Sequence, residues 1–255
     1  MPEGDTIHYA ANRIRPILEG HVPDALETLH PRFSRDRWPE RLEGQPVRSV
    51  DAHGKHLFIR FANDLTIHSH LRMTGSWRVL DADRRPSRAA WLSIRRGGKA
   101  VVQFKGPVLE LMTDSRTRID QRIAGLGPDI LAPEFDYARF LRRLREDDPT
   151  RPIGDALLDQ RSSAGIGNLW KAEACFDAAV DPWRPAADVS DAEALAIVHA
   201  ARPRMQQSAR TGHQTRAPSV YRRAGMPCPR CGTSIESRGQ GDDNRMTYWC
   251  PGCQR

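Results

Sequence analysis

Apolar residues recur at helical spacing close to the start of the chain. Ile7, Ala11, Ile14 and Leu18 fall on one face of a segment from Gly4 to Leu18, with Asp5 and Thr6 suited to its first turn. Pro16 disturbs the last turn, and Gly20 ends the helix. From Pro46 to Met112 the period shortens. The stretches VRSVDAHGKHLFIRF, LTIHSHL, SWRVL, AWLSIRR, KAVVQF and VLELMT read as short strands, with FANDLT and RRGGKA as hairpin turns. Many short strands with no helix between them predict a β-sandwich or barrel. The Gly- and Pro-rich segment GLGPDILAPEFD reads as a linker. Beyond it YARFLRRLRE, IGDALLDQ, NLWKAEACFDAAV and DAEALAIVHAARPRMQQSA carry helical patterning, and the loop RSSAGIG separates the middle two. From about Tyr221 two short strands lie between cysteine pairs. The expected layout is a β-rich domain over 1–130, a helical domain over 131–220 and a small tail over 221–255, with no internal repeat and no low-complexity segment.

Composition narrows the class. The 255 residues are 39% hydrophobic and 28% charged, which suits a soluble globular protein with one large core or two modest ones. The apolar runs are too short to span a bilayer, and no charged-then-apolar leader precedes a cleavage site, so the cytoplasm is the expected location. A formal net charge of +7, carried mostly by arginine, favours a polyanionic partner.

The cysteines give the strongest local signal. Cys228 and Cys231 form CPRC, Cys250 and Cys253 form CPGC, and eighteen residues separate the pairs. Four thiolates at this spacing close a tetrahedron around one structural zinc ion with no open position for water; two disulfides are the alternative. Cys175, on an apolar helix face, reads as core. Arg245 lies five residues before Cys250, near the tip of the hairpin, where a guanidinium can grip a phosphate or simply be solvated. The loop ahead of Asn168 ends in glycines, with Asn168 as a helix N-cap; exposed N–H groups there form an anion site, or the loop is an ordinary helix connection. Lys55 follows a glycine at the expected start of a strand. Arg72, Met73 and Thr74 occupy a turn where a methionine is wasted unless something packs on it, or else is tucked under the sheet.

Taken in order, MPEGDT, GKHL around Lys55, SHLRMTGSW, LLDQRSSAGIGN and the four-cysteine tail ending CPGCQR resemble the formamidopyrimidine-DNA glycosylase and endonuclease VIII family of bifunctional glycosylase/AP lyases, over nearly the whole chain. The resemblance implies an N-terminal β-sandwich, a helical helix–two-turn–helix domain with a zinc β-hairpin, and DNA bound in the cleft between the domains. It implies that Pro2, once Met1 is trimmed, is the nucleophile at C1′ of the damaged nucleotide and that Glu3 is the general acid/base. An α-amino group has a pKa near 7.7–8.0 against 10.4 for lysine, so about 300 times more of it is neutral at a given pH. Its secondary amine leaves a fixed iminium, an electron sink that drives β,δ-elimination. Lys55 matches a phosphate-contacting lysine that assists as proton donor; Arg245, Asn168 and the adjoining Gly167 match phosphate clamps, with Arg245 also counted with the catalytic set.

The branch follows from the loops. The comparable stretch KGPVLELMTDSRTRID lacks the Arg–Phe pair of the formamidopyrimidine branch, whereas Arg72, Met73 and Thr74 occupy the turn that carries the intercalating residues of endonuclease VIII proteins. The expected substrates are oxidised pyrimidines, then oxidised purines, in duplex or bubble DNA, and abasic sites; the protein is expected to act as a monomer, nucleoid-associated if bacterial. Gly125 stands nearest to a basic DNA contact of endonuclease VIII. Two rival classes are a non-catalytic binder of damaged DNA and a zinc-ribbon adaptor; Pro2, Glu3 and Lys55 together disfavour both.

Overall fold

Helix α1 (Gly4–Leu18) buries Ile7, Ala11, Ile14 and Leu18, the face that its spacing predicts. In the computed structural model, residues 2–83, 89–214 and 217–255 are described; Met1 and its trimming lie outside them. The chain divides into two compact units, 1–124 and 125–255.

In the first unit α1 is followed by β1 (Ala25–Thr28), a 3₁₀ turn over 31–36, α2 (Trp38–Leu42) and seven strands: β2 (Val47–His53), β3 (His56–Phe61), β4 (Leu65–His70), β5 (Ser76–Asp81), β6 (Ala90–Arg96), β7 (Lys99–Phe104) and β8 (Val108–Thr113). They form two four-stranded antiparallel sheets, ordered β1-β6-β7-β5 and β2-β3-β4-β8. One core joins them: Val50, Leu57, Ile59, Ile67 and Leu109 of one sheet pack with Trp77, Leu92, Ile94 and Val101 of the other, closed by α1. This is the β-sandwich that the strand pattern predicts. Short helices α3 (Asp114–Ile119) and α4 (Gln121–Ala124) end the unit. Sequence patterning missed the four-residue β1 and the helices α2, α3 and α4, whose four to six residues span less than two turns and so show no helical repeat.

VRSVDAHGKHLFIRF is not one strand but the hairpin of β2 and β3. Gly54 takes φ +54° at the first turn position, where a side chain would be strained. Lys55 is therefore the second turn residue, one position before β3.

The second unit holds α5 (Tyr137–Glu146), α6 (Ile153–Ala156), α7 (Asn168–Asp177), α8 (Asp191–Thr211) and the hairpin of β9 (Glu236–Gln240) and β10 (Arg245–Trp249). Trp170, Cys175, Phe140, Ile197 and Met205 centre its core; burial pushes the Cys175 thiol up to about 12, as fits a packing residue. The segment read as a linker is instead built into this unit. Leu126 to Leu131 are buried, Asp129 bridges Ala164, and Arg202 of α8 donates to the carbonyls of Ile130, Ala132 and Pro133. Its glycine serves close approach: a Cβ on Gly127 would lie 2.4 Å from the Arg161 carbonyl oxygen. Composition signals a chain free of helix and strand, and burial by neighbours is invisible to it.

Candidate active site and metal centre

Pro2 is half-exposed and Glu3 only 1% exposed at the head of α1. Glu3 is the N-cap residue and forms a capping box with Thr6, its own N–H lying 3.5 Å from Thr6 Oγ1. A carboxylate at a helix N-terminus meets the positive end of the peptide dipoles. The sequence thus places an ionisable acid, fixed by the helix start, directly beside Pro2.

Lys55 projects from the β2–β3 turn, and Arg72, Met73 and Thr74 form the turn between β4 and β5. Met73 is 64% exposed, so of the two readings of this turn the structure has the uncovered methionine and not the tucked one. Arg72 takes φ +50°, and its N–H donates to His70 Nδ1 at 3.1 Å, while Thr74 Oγ1 donates to the Lys105 carbonyl at 3.3 Å. Both ends of the turn are tied while the methionine is left in solvent. Burial, then the charges of Arg72 and Lys55, push His70 down to about 4. Gly125 opens the second unit with no side chain to offer.

In the second unit the structure changes the expected role of Asn168. Gly167 is the N-cap of α7 and Asn168 the first helical residue. Its Nδ2 donates to the Met246 carbonyl at 2.8 Å, and its buried Oδ1 has no hydrogen-bond partner among the described residues. One turn on, Lys171 is fully buried and its Nζ donates to Thr247 Oγ1 at 2.6 Å. Two side chains of the first turn of α7 thus grip β10, the strand that begins with Arg245. Arg245 is exposed at the hairpin tip, its Nε and Nη2 donating to Asp243 Oδ2 at 3.1 and 3.0 Å. Glu173 completes the seam: its buried carboxylate accepts the N–H groups of Ser219, Val220 and Tyr221 at 2.8–3.0 Å and an Arg204 guanidinium N–H. The sequence reading passed over Lys171 and Glu173. Their one signal was a pair of opposite charges inside NLWKAEACF, where every other residue is apolar except the first.

The Sγ atoms of Cys228, Cys231, Cys250 and Cys253 all lie within 4.8 Å of one another. Contacts of 3.5 Å (Cys231–Cys250) and 3.9 Å (Cys228–Cys253) bracket the ~3.8 Å edge of a tetrahedron with metal–sulfur bonds near 2.3 Å. Disulfides require about 2.05 Å, so the alternative of two bridges does not fit. The four thiols suit one structural Zn²⁺, with no ligand left over for water.

The sequence reading also missed a histidine group on the β2-β3-β4-β8 sheet. His56 Nδ1 and His68 Nε2 are 2.8 Å apart, and His68 Nδ1 lies 3.4 Å from Glu110 Oε2. Burial pushes His56 down to about 2 and lowers His68 as well.

Comparisons with known proteins cover the chain from end to end. Residues 1–117 match the formamidopyrimidine-DNA glycosylase N-terminal domain, 126–219 the formamidopyrimidine-DNA glycosylase H2TH domain, and 225–255 the zinc finger found in FPG and IleRS. Endonuclease 8 2 of Mycobacterium tuberculosis is 39% identical, with 100% of both chains covered. The DNA-(apurinic or apyrimidinic site) lyase Nei2 of Mycolicibacterium smegmatis is 37% identical over 100% of this chain and 99% of its own. The fold is shared with Lactococcus lactis formamido-pyrimidine DNA glycosylase, solved non-covalently bound to an AP-site-containing DNA, at a TM-score of 0.84 and 22% identity over 100% of both chains. Among the described residues no helix is long and apolar enough to cross a membrane. With identity near 40% sustained over full length, three consecutive domain matches and the four-cysteine cluster in place, the chain belongs to the formamidopyrimidine-DNA glycosylase and endonuclease VIII family.

Proposed function

We propose that the protein is a bifunctional DNA glycosylase and AP lyase of base excision repair that removes oxidised pyrimidines and cuts the strand at the resulting abasic site. The observation that carries the reading is the buried Glu3 carboxylate capping α1 beside Pro2. In this reading the Pro2 amine attacks C1′, the C1′–base bond breaks and the base leaves with a proton. Ring opening gives an iminium between Pro2 and C1′, with Glu3 exchanging protons at the opening sugar. The iminium acidifies C2′–H; loss of that proton expels the 3′ phosphate, and a second elimination releases the 5′ phosphate. Lys55 neutralises a phosphate and donates a proton. Gly167, Asn168 and Arg245 hold the backbone on the second unit, and the zinc keeps the hairpin rigid under Arg245.

The exposed Met73 and the names of the full-length relatives support the endonuclease VIII branch, with Met73 filling the gap left by the flipped nucleotide and Arg72 and Thr74 flanking it. The division of labour is a catalytic domain up to about residue 124, a DNA-binding helical domain to about 220 and a zinc hairpin beyond it. The protein acts as a monomer on duplex or bubble DNA in the cytoplasm.

The test is the chain terminus. Protein with a free Pro2 should form a borohydride-trapped adduct with abasic-site DNA and cut it. An uncleaved N-terminal tag makes that nitrogen an amide whose lone pair is delocalised, so it should bind yet neither trap nor cut. Equal trapping by both forms would move the nucleophile to Lys55.

A further inference from the structure

His56 and His68 lie on the face of the β2-β3-β4-β8 sheet opposite the sandwich core, which takes Leu57, Ile59 and Ile67, and both are buried there. His68 stacks on Phe58 with ring centroids 5.1 Å apart, and the two imidazoles are 5.1 Å apart and within 7° of parallel. Their contacts are nevertheless polar and run in one line. Arg122 donates Nη1 and Nη2 to Glu110 at 3.2 and 2.9 Å and is itself held by Asp120; Glu110 Oε2 meets His68 Nδ1, and His68 Nε2 meets His56 Nδ1.

Charge fixes the direction of every bond in that line. Burial works against ionising Glu110, but its bonds to Arg122 and His68 outweigh burial and hold the carboxyl below its ordinary value. An ionised carboxylate only accepts, so it takes the Nδ1 proton of a neutral His68. His68 Nε2 is then an acceptor and receives the Nδ1 proton of His56. Each ring is locked in one tautomer by the group behind it. Burial lowers His56 to about 2, so the pair is uncharged at neutral pH and the line holds the rings in place as a strut.

The inner end of the strut adjoins two loops that the proposed reaction uses. His56 is the first residue of β3, bonded in sequence to Lys55. It pairs with His70 across β3 and β4, the rings edge-on at 4.8 Å, and His70 Nδ1 holds the N–H of Arg72 at the start of the Met73 turn. Replacing two hydrogen-bonded buried groups by apolar ones of like shape is nearly neutral for stability, so stability alone does not call for this pair. What a satisfied polar line adds is a single orientation.

We propose that His56 and His68, oriented by Glu110, are positioning residues that set the Lys55 turn and the Arg72–Thr74 turn for the reaction; this rests on the glycosylase/lyase reading above. The experiment uses full-length protein and an oligonucleotide duplex with one preformed abasic site. Melting temperature, Kd, single-turnover cleavage and borohydride trapping are measured for wild type and three variants. The double variant His56→Phe/His68→Phe should melt close to wild type and bind the duplex as tightly, yet trap and cut about 10–100-fold more slowly, the loss expected for a misplaced group. His68→Gln, whose amide oxygen can stand where Nε2 accepts, should restore most of the rate. His68→Asn keeps the bond to Glu110 but not to His56 and should stay slow, which serves the test if the double variant fails to fold. A folded double variant, or a folded His68→Asn, that cuts at the wild-type rate overturns the proposal and makes the pair ordinary packing on that face of the sheet. Wild type that neither traps nor cuts would overturn the functional reading itself, a separate outcome.

Discussion

A carboxylate that is structural and one that is chemical can be told apart at position 3. A glutamine amide oxygen can accept the Thr6 backbone N–H as the Glu3 carboxylate does, so Glu3→Gln should leave the melting temperature nearly unchanged. Base excision should fall by about 10²–10⁴-fold, the usual span for a lost acid/base, while some cleavage of preformed abasic sites survives because the Pro2 amine is intact. Unfolding in parallel with lost activity would return Glu3 to a purely capping role. At Met73 the comparison is between substrates. Met73→Ala should slow cleavage at an oxidised base more than at an abasic site, which has no base to extrude and little stacking to overcome. Its 64% exposure leaves little core packing to lose, so stability should not move; equal losses on the two substrates would remove the wedge role.

Among elements, the β2-β3-β4-β8 sheet carries a pH sensitivity of its own. An unfolded chain protonates its histidines near pH 6.5, whereas the folded sheet resists until about pH 2 at His56 and about pH 4 at His70, chiefly through burial. Below pH 6.5 the unfolded state therefore binds more protons. Stability is full above pH 6.5 and should decline as pH falls, by up to about 1.4 kcal/mol per pH unit for His56 alone. Urea melts at pH 7.5, 6.5, 5.5 and 4.5 measure this, and a flat profile between 6.5 and 4.5 would contradict the burial of these rings. The seam of α7 is the counterpart in the second unit: Asn168 and Lys171 hold β10, and Glu173 holds the chain at 219–221. A helix that looks like a phosphate site in sequence is also the mount of the zinc hairpin.

For the whole molecule, zinc is the part that can be withdrawn. Zinc-coupled folding is worth roughly 10–16 kcal/mol in small fingers, so chelation, or Cys250→Ser, should unfold the hairpin and weaken DNA binding while the sandwich stays folded. Far-UV spectra, metal content and a binding isotherm check all three, and fully active protein without zinc would sink the assignment. Arg245→Ala should keep the zinc and lower the slope of log K against log salt by about one, the share of a single phosphate contact. A slope unchanged from wild type would mean that the guanidinium stays with Asp243.

The sequence by itself determined the elements long enough to carry a period. α1, α5 and the sheet strands other than β1 declare themselves through residues such as Ile7, Phe140 and Ile67, since burying one face demands regular spacing. It also determined the zinc centre, because ligand chemistry and short-range spacing suffice for a hairpin of this size. The helix start at position 3 was legible for a related reason: its capping residues are neighbours in sequence. Only the tertiary structure decided where partners come from distant segments. Strand register brought His56 and His68 to Glu110 from three strands, and packing buried residues 126–131 of the Gly- and Pro-rich segment under Arg202. The same holds at Lys171, whose charge met Thr247 only when helix and hairpin closed on each other. Hydrogen bonds between residues far apart in sequence leave no periodic trace along it, and their geometry exists only once the chain has folded.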